Sequence, residues 1–200
     1  MTTPPADDVL KILTVCTHNR TRSVMSMAML QDGLDRRLGA GRAVVRSLGF
    51  GPEDERAIDD AVDAMRRRSL DVTEHRSRKV SALRVDPADL ILTAERDHVV
   101  KIASESQAAY RRSFTLPEFL QRVASDPVAD GRSISAWAND LSAGRLASDY
   151  LQSDDLDVFD PTGSSRRRFA RSVDEISAMC DQVVELLARS FDDPEDDFEF

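Results

Sequence analysis

One cysteine of the two in the chain, Cys16, closes an apolar run, Val9-Leu10-Lys11-Ile12-Leu13-Thr14-Val15, and after five intervening residues come Arg22 and Ser23. A thiol at a strand end, a short loop, and an Arg-Ser pair opening a helix form an arrangement suited to attacking a phosphate monoester. The backbone N–H groups of Thr17, His18, Asn19, Arg20 and Thr21, turned inward, would make a nest for the non-bridging oxygens. A helix starting at Arg22 adds the positive end of its dipole. The Arg22 guanidinium can fork onto two oxygens, which a point charge does less well. A thiol among such groups ionises to the thiolate, its nucleophilic form. Spacing alone is a weak signal, because in a chain with two Cys and 24 Arg a Cys–x5–Arg pair arises by chance about one time in four. The strand before it, the helix after it and the adjoining Ser23 give the pattern its weight. Asn19 stands mid-loop, where the backbone needs a residue that tolerates the left-handed region.

The leaving oxygen of such a reaction needs a proton. Ahead of the acidic last ten residues, three Asp-Pro pairs offer a carboxyl on stiffened, extended backbone: Asp86-Pro87, Asp126-Pro127 and Asp160-Pro161. Asp160, in Val158-Phe159-Asp160-Pro161, is the candidate acid, although local sequence does not separate the three.

The elements that must position these groups follow from hydrophobic period and turn signals. Strands are predicted over 9–15, 43–48 and 89–94. Helices are predicted over 22–37, 53–68, 95–106, 114–125, 134–146 and 168–189. Short apolar strands alternating with helices call for an α/β fold of three layers, a central parallel sheet with helices on both faces and the phosphate-binding loop after the first strand. The expected organisation is a disordered N-terminus over 1–8, one domain over 9–190 and an acidic, disordered tail over 191–200. Cys180 reads as core, Trp137 as a packing anchor, His98 as solvent-facing, and the Arg166-Arg167-Arg168 run as a solvated helix start.

Composition sets outer bounds. The net charge is −9, and six of the carboxylates fall in the last ten residues. An acidic balance argues against nucleic-acid or anionic-membrane partners. No apolar run approaches the length of a membrane-spanning helix, and the start, MTTPPADD, lacks the basic flank and apolar core of a signal peptide. Two cysteines support neither a disulfide framework nor a multi-cysteine zinc site. A cytoplasmic location is the expectation.

Together these residues resemble the low-molecular-weight protein tyrosine phosphatases. That family opens on a strand and V-C-x-G-N-x-C-R-S-P, and carries its acid in a late D-P-[YF]-G segment. Cys16, Asn19, Arg22 and Ser23 match at the front, and Asp160, Pro161 and Gly163 late. Ser47 and the run 70–78, Leu-Asp-Val-Thr-Glu-His-Arg-Ser-Arg, match between them. The resemblance implies that Cys16 takes the phosphoryl group, Arg22 holds it, and Asp160 protonates the leaving group and then activates water. It implies that Ser23 hydrogen-bonds the thiolate, and that Asn19, Ser23, Ser47 and His75 form a network propping the loop. It implies no metal and no cofactor. Expected partners are a phosphorylated protein or a small phosphoester, with phosphate, sulfate or vanadate as loop ligands.

The chain departs from the pattern at His18, where the family has Gly, at Thr21 in place of a second loop cysteine, and at Val24 in place of Pro. Thr162 replaces the aromatic after Asp-Pro, and the loop after the second strand is cut to Gly49-Phe50-Gly51-Pro52. These changes bear on preference for an aromatic ester more than on phosphate chemistry; Phe50 is a candidate substitute for the missing ring, although a loop aromatic more often caps a core. Two other readings stay open. The C-x-H-N loop also resembles some single-cysteine, thiol-coupled arsenate reductases on the same fold. A phosphoprotein-binding domain without turnover is the third.

Overall fold

The first strand, β1 (Leu10–Cys16), is apolar almost throughout because it is buried on both faces. It lies between β2 (Ala43–Gly49) and β3 (Leu90–Thr93), with β4 (Ser113–Thr115) outside β3. The sheet order is β2-β1-β3-β4, all parallel. The computed structural model describes residues 9–126, 132–145, 150 and 155–191. The expected disordered N-terminus and all but the first residue of the expected acidic tail lie outside the described residues.

Strand alternation sorts the core into two layers. Ile12, Leu90 and Leu92 point into the larger cluster, with α1 (Arg22–Leu38), α6 (Leu116–Val123), α7 (Ile134–Leu141) and α8 (Arg166–Arg189). Leu13, Val15 and Ile91 point the other way, onto Val85 of α3 (Ala82–Val85), Ile102 of α4 (Arg96–Glu105) and Ala109 of α5 (Gln107–Tyr110). The three-layer α/β fold read from the sequence is therefore the fold observed. Helix α1 packs directly on α8, and a Cβ built on Gly33 would stand 2.7 Å from Val184 Cγ2. Glycine is a poor helix former, and this close approach accounts for it here. Trp137 and Cys180 are core residues, as expected, and burial pushes the Cys180 thiol up to about 12.

Some element bounds differ from expectation. Residues 53–58 are not helical: Asp54 and Glu55 exchange backbone hydrogen bonds with Ser77, and helix α2 (Asp59–Arg66) starts only after them. Ser113–Thr115 is a strand and not the start of a helix, because its pairing with β3 outweighs the helical period. Thr115 then caps α6, its Oγ1 accepting the Glu118 N–H at 3.1 Å, with a proline in the first turn. Helix α7 stops at Leu141, short of the predicted end. No helix among the described residues is long and apolar enough to cross a membrane.

Candidate active site

In a parallel sheet, ligands collect at the carboxyl ends of the strands, and the loop from Thr17 to Thr21 lies there, between β1 and α1. Its conformation is fixed from outside. The Thr17 carbonyl accepts the N–H groups of Phe50 and Gly51 at 2.8 and 2.9 Å, and the Arg20 carbonyl accepts that of Ile58 at 3.1 Å. His75 Nε2 donates to the Asn19 carbonyl at 2.8 Å. Peptide planes are trans, so each carbonyl drawn outward turns the next N–H inward. The amides of His18, Arg20 and Thr21 are thereby aimed into the loop. Gly49 and Gly51 permit this packing: a Cβ on Gly49 would meet the Asn19 backbone nitrogen at 2.6 Å, and one on Gly51 the His18 ring at 2.6 Å.

Asn19 has φ +54°, the left-handed value expected of it, and its side chain is wholly buried. Its Oδ1 accepts the Arg78 N–H at 2.9 Å, and its Nδ2 donates to Ser23 Oγ at 3.0 Å. Ser23 Oγ stands 3.0 Å from Cys16 Sγ. Because Asn19 Nδ2 can only donate to Ser23 Oγ, the Ser23 hydroxyl proton is available to the sulfur. Burial lowers the pKa of His75, which keeps its ring neutral while it holds the loop. Ser47 is buried too, but its Oγ makes no hydrogen bond, so the structure does not bond it into the Asn19–Ser23–His75 network that the resemblance implies.

Arg22 is almost fully buried and its guanidinium is held from several sides. Nη1 meets Glu95 Oε1 at 2.5 Å and donates to the Val158 carbonyl at 2.9 Å. Nη2 donates to Asp160 Oδ2 at 3.0 Å and to Thr17 Oγ1 at 3.3 Å. The buried Nε–H meets no acceptor. Asp160 is brought to this place by the Val158 N–H, bonded to the Ala94 carbonyl at 2.7 Å, which zips the late loop to the end of β3. Its Oδ1 accepts the Thr162 N–H at 3.0 Å. Of the Asp-Pro pairs at 86, 126 and 160, this one reaches Arg22. Asp86 accepts from Ser106, and Asp126 pairs with Arg132.

The remaining loop residues face the rim. Arg20 reaches away from the pocket, its Nε to the Arg56 carbonyl at 2.8 Å and its Nη1 to Glu55 at 3.1 Å. His18 is exposed beside Gly51. Thr21 Oγ1 lies 3.2 Å from Thr162 Oγ1, tying the loop that follows Cys16 to the loop that carries Asp160 through the two substituted positions. Phe50 does not stand free as a substitute wall, since its ring stacks on His98 at 5.5 Å with Lys101 Nζ 5.4 Å from its centroid. The exposed aromatic beside Asp160 is Phe159, with the Arg168 guanidinium 4.1 Å from its centroid.

Two residues of this site escaped sequence reading. Glu95 follows the end of β3, the strand beside β1, and an acid at the carboxyl end of an inner strand is a signal that strand order alone could have supplied. His98 is a correction. Asp97 and Lys101 make its surroundings read as surface, yet its side chain is 1% exposed and its Nε2 lies 3.1 Å from Thr17 Oγ1. Burial pushes its pKa down to about 4, Arg22 adding to the shift and Glu95 opposing it.

Residues 11–135 match the low molecular weight phosphotyrosine protein phosphatase family. A probable low molecular weight protein-tyrosine-phosphatase, EpsP of Ralstonia nicotianae, is 33% identical over 117 residues, which are 58% of this chain and 77% of that protein. Among solved structures, a YwlE mutant from Bacillus subtilis is 24% identical with a TM-score of 0.66, covering 89% of this chain and 98% of its own. A YwlE arginine phosphatase from Geobacillus stearothermophilus is 23% identical with a TM-score of 0.65, covering 90% and 94%. The family match ends before Asp160, whereas the fold likeness takes in most of the chain. With a matched segment that holds the entire Cys16-to-Ser23 loop, the chain belongs to the low molecular weight phosphotyrosine protein phosphatase family.

Proposed function

We propose that the protein hydrolyses phosphate monoesters of the phosphotyrosine type through a phosphocysteine at Cys16. The observation that carries the reading is one loop in which Cys16 Sγ meets the Ser23 hydroxyl while the Arg22 guanidinium, with a buried and unpartnered Nε–H, closes the same turn. A dianionic phosphoryl group in the loop receives the inward amides, the α1 N-terminus and Arg22. Phosphate, sulfate and vanadate are the simple anions that fit there. The Cys16 thiolate attacks phosphorus, the ester P–O bond breaks, and Asp160 gives its proton to the departing oxygen. Asp160 then takes a proton from water, whose oxygen attacks phosphorus. The S–P bond breaks, releasing inorganic phosphate and restoring the thiolate.

Asp160 and the incoming phosphoryl oxygens compete for Arg22 Nη2. Substrate entry and release of the Asp160 carboxyl from its ion pair are thus one event, after which the acid can hold a proton. Glu95, on the other guanidinium nitrogen, keeps the Arg22 plane in place throughout. A thiol-coupled arsenate reductase has no leaving alkoxide for Asp160 to serve, and a binding domain has no use for Cys16. The test is turnover of a phosphotyrosine peptide, a phosphoarginine peptide, and arsenate with a small thiol, side by side without metal. Hydrolysis of the phosphotyrosine peptide supports the reading. Exclusive phosphoarginine hydrolysis moves the substrate, thiol-dependent arsenite release moves the reaction, and tight binding with no turnover removes the enzyme.

A further inference from the structure

We propose that His98 is a positioning residue of this site, fixing the Thr17 hydroxyl as a hydrogen-bond donor to the bound phosphoryl group. The inference rests on the phosphatase reading and follows from counting protons. His98 Nδ1 accepts the Glu95 backbone N–H at 3.1 Å, so in the neutral ring the hydrogen sits on Nε2. Nε2 therefore donates to Thr17 Oγ1, 3.1 Å away. Arg22 Nη2 donates to the same oxygen at 3.3 Å. A hydroxyl oxygen has two acceptor sites and one proton. With both sites filled by N–H donors, the Thr17 proton can only be given away.

The direction in which it is given follows from the neighbours. Arg22 Nη2 also holds Asp160 Oδ2 at 3.0 Å, so the Thr17 hydroxyl and the Asp160 carboxylate flank one guanidinium nitrogen. When a phosphoryl group takes the guanidinium, its oxygens lie beside that hydroxyl, on the side where the acid works. Without the His98 donor, Thr17 Oγ1 is free to rotate and spend its proton on Asp160 or Glu95. The ring is itself locked: it is buried, and Phe50 stacks on it at 17°. Burial also keeps it in the neutral, single-donor form. Phe50 thus serves the site from behind, as a backing for His98.

A double-mutant cycle on the full chain tests the proposal, with an aryl phosphate as substrate and Trp137 fluorescence and urea midpoint as checks on folding. Thr17→Val and His98→Leu should each lower kcat by about 10- to 100-fold, the usual worth of one hydrogen bond to a charged group, with a smaller change in KM. The double variant should be no worse than Thr17→Val alone. His98→Gln, whose amide nitrogen can stand where Nε2 stands and donate, should recover most of the loss. Additive losses in the double variant would show that His98 acts on packing and overturn the proposal, as would wild-type kcat in His98→Leu. If the leucine variant fails to fold, His98→Phe keeps a ring against Phe50 and removes both nitrogens. If the wild type hydrolyses no phosphoester, the phosphatase reading fails separately, and the same cycle is read in calorimetric affinity for inorganic phosphate. There, coupled losses sustain the proposal and additive or absent losses end it.

Discussion

At the scale of single residues, the site is organised around competition for one guanidinium. Arg22 is shared between Glu95 and Asp160, and the proposed reaction gives the two carboxylates different tasks. Asp160 must let go and carry a proton, so Asp160→Asn should slow esters with poor leaving groups by about 10²–10³-fold and activated phenyl esters much less. Steady-state rates across a series of substituted phenyl phosphates measure this, and equal losses along the series would remove the acid role. Glu95 must hold on. Glu95→Gln keeps a hydrogen-bond acceptor but drops the charge, and should lower kcat/KM by about tenfold, in line with the difference between charged and neutral hydrogen bonds. An unchanged kcat/KM would mean that Val158 and Thr17 suffice to hold Arg22. Cys16, Arg22, Asn19 and Ser23 were legible because their spacing in the chain is their arrangement in space. Glu95 and His98 were not, since they reach the loop only through the pairing of β3 with β1.

At the scale of elements, the strands and helices that build the inner sheet could be read directly, because apolar runs and helical periods dominate there. The edge could not. Ser113–Thr115 is three residues long, and its strand character comes from pairing with β3, a contact that no local window contains. The capping signature Thr115-Leu116-Pro117-Glu118 was present in the sequence and marks where the helix really begins. The α1–α8 contact offers a test of packing against propensity. Gly33→Ala gains about 1 kcal/mol of helix propensity but drives a methyl into Val184, whose branched side chain is stiff in a helix. Overpacking of this kind costs about 1–3 kcal/mol, so urea denaturation should show a net loss of roughly 1 kcal/mol. A gain equal to the full propensity difference would show that α8 yields freely at this point.

At the scale of the molecule, the buried histidine links the site to global stability. His98 holds its proton only below about pH 4 in the fold, against 6.5 unpaired in solution. Between those values the unfolded chain binds more protons, so stability rises with pH across that window and falls on acidification. The loss from neutral pH to pH 4 is about 3 kcal/mol from this group. His75, also lowered by burial, acts in the same direction. Urea midpoints of the wild type and His98→Gln measured from pH 7 to pH 4.5 should diverge, with a shallower slope in the variant. Parallel slopes would mean that the ring gains its proton without cost. The burial behind this pH dependence also leaves His98 a neutral, single-donor ring beside Thr17.

In the proposed reaction the phosphoryl group passes through Cys16. Rapid acid quench of the wild type during turnover of a phosphotyrosine peptide, followed by mass spectrometry of the digested protein, tests it most directly. One phosphoryl group should be found on the peptide containing Cys16, should accumulate further in Asp160→Asn with an activated phenyl ester, and should vanish in Cys16→Ala together with all turnover. A phosphoryl group carried on a histidine or on no residue at all, or full turnover in Cys16→Ala, would contradict the account.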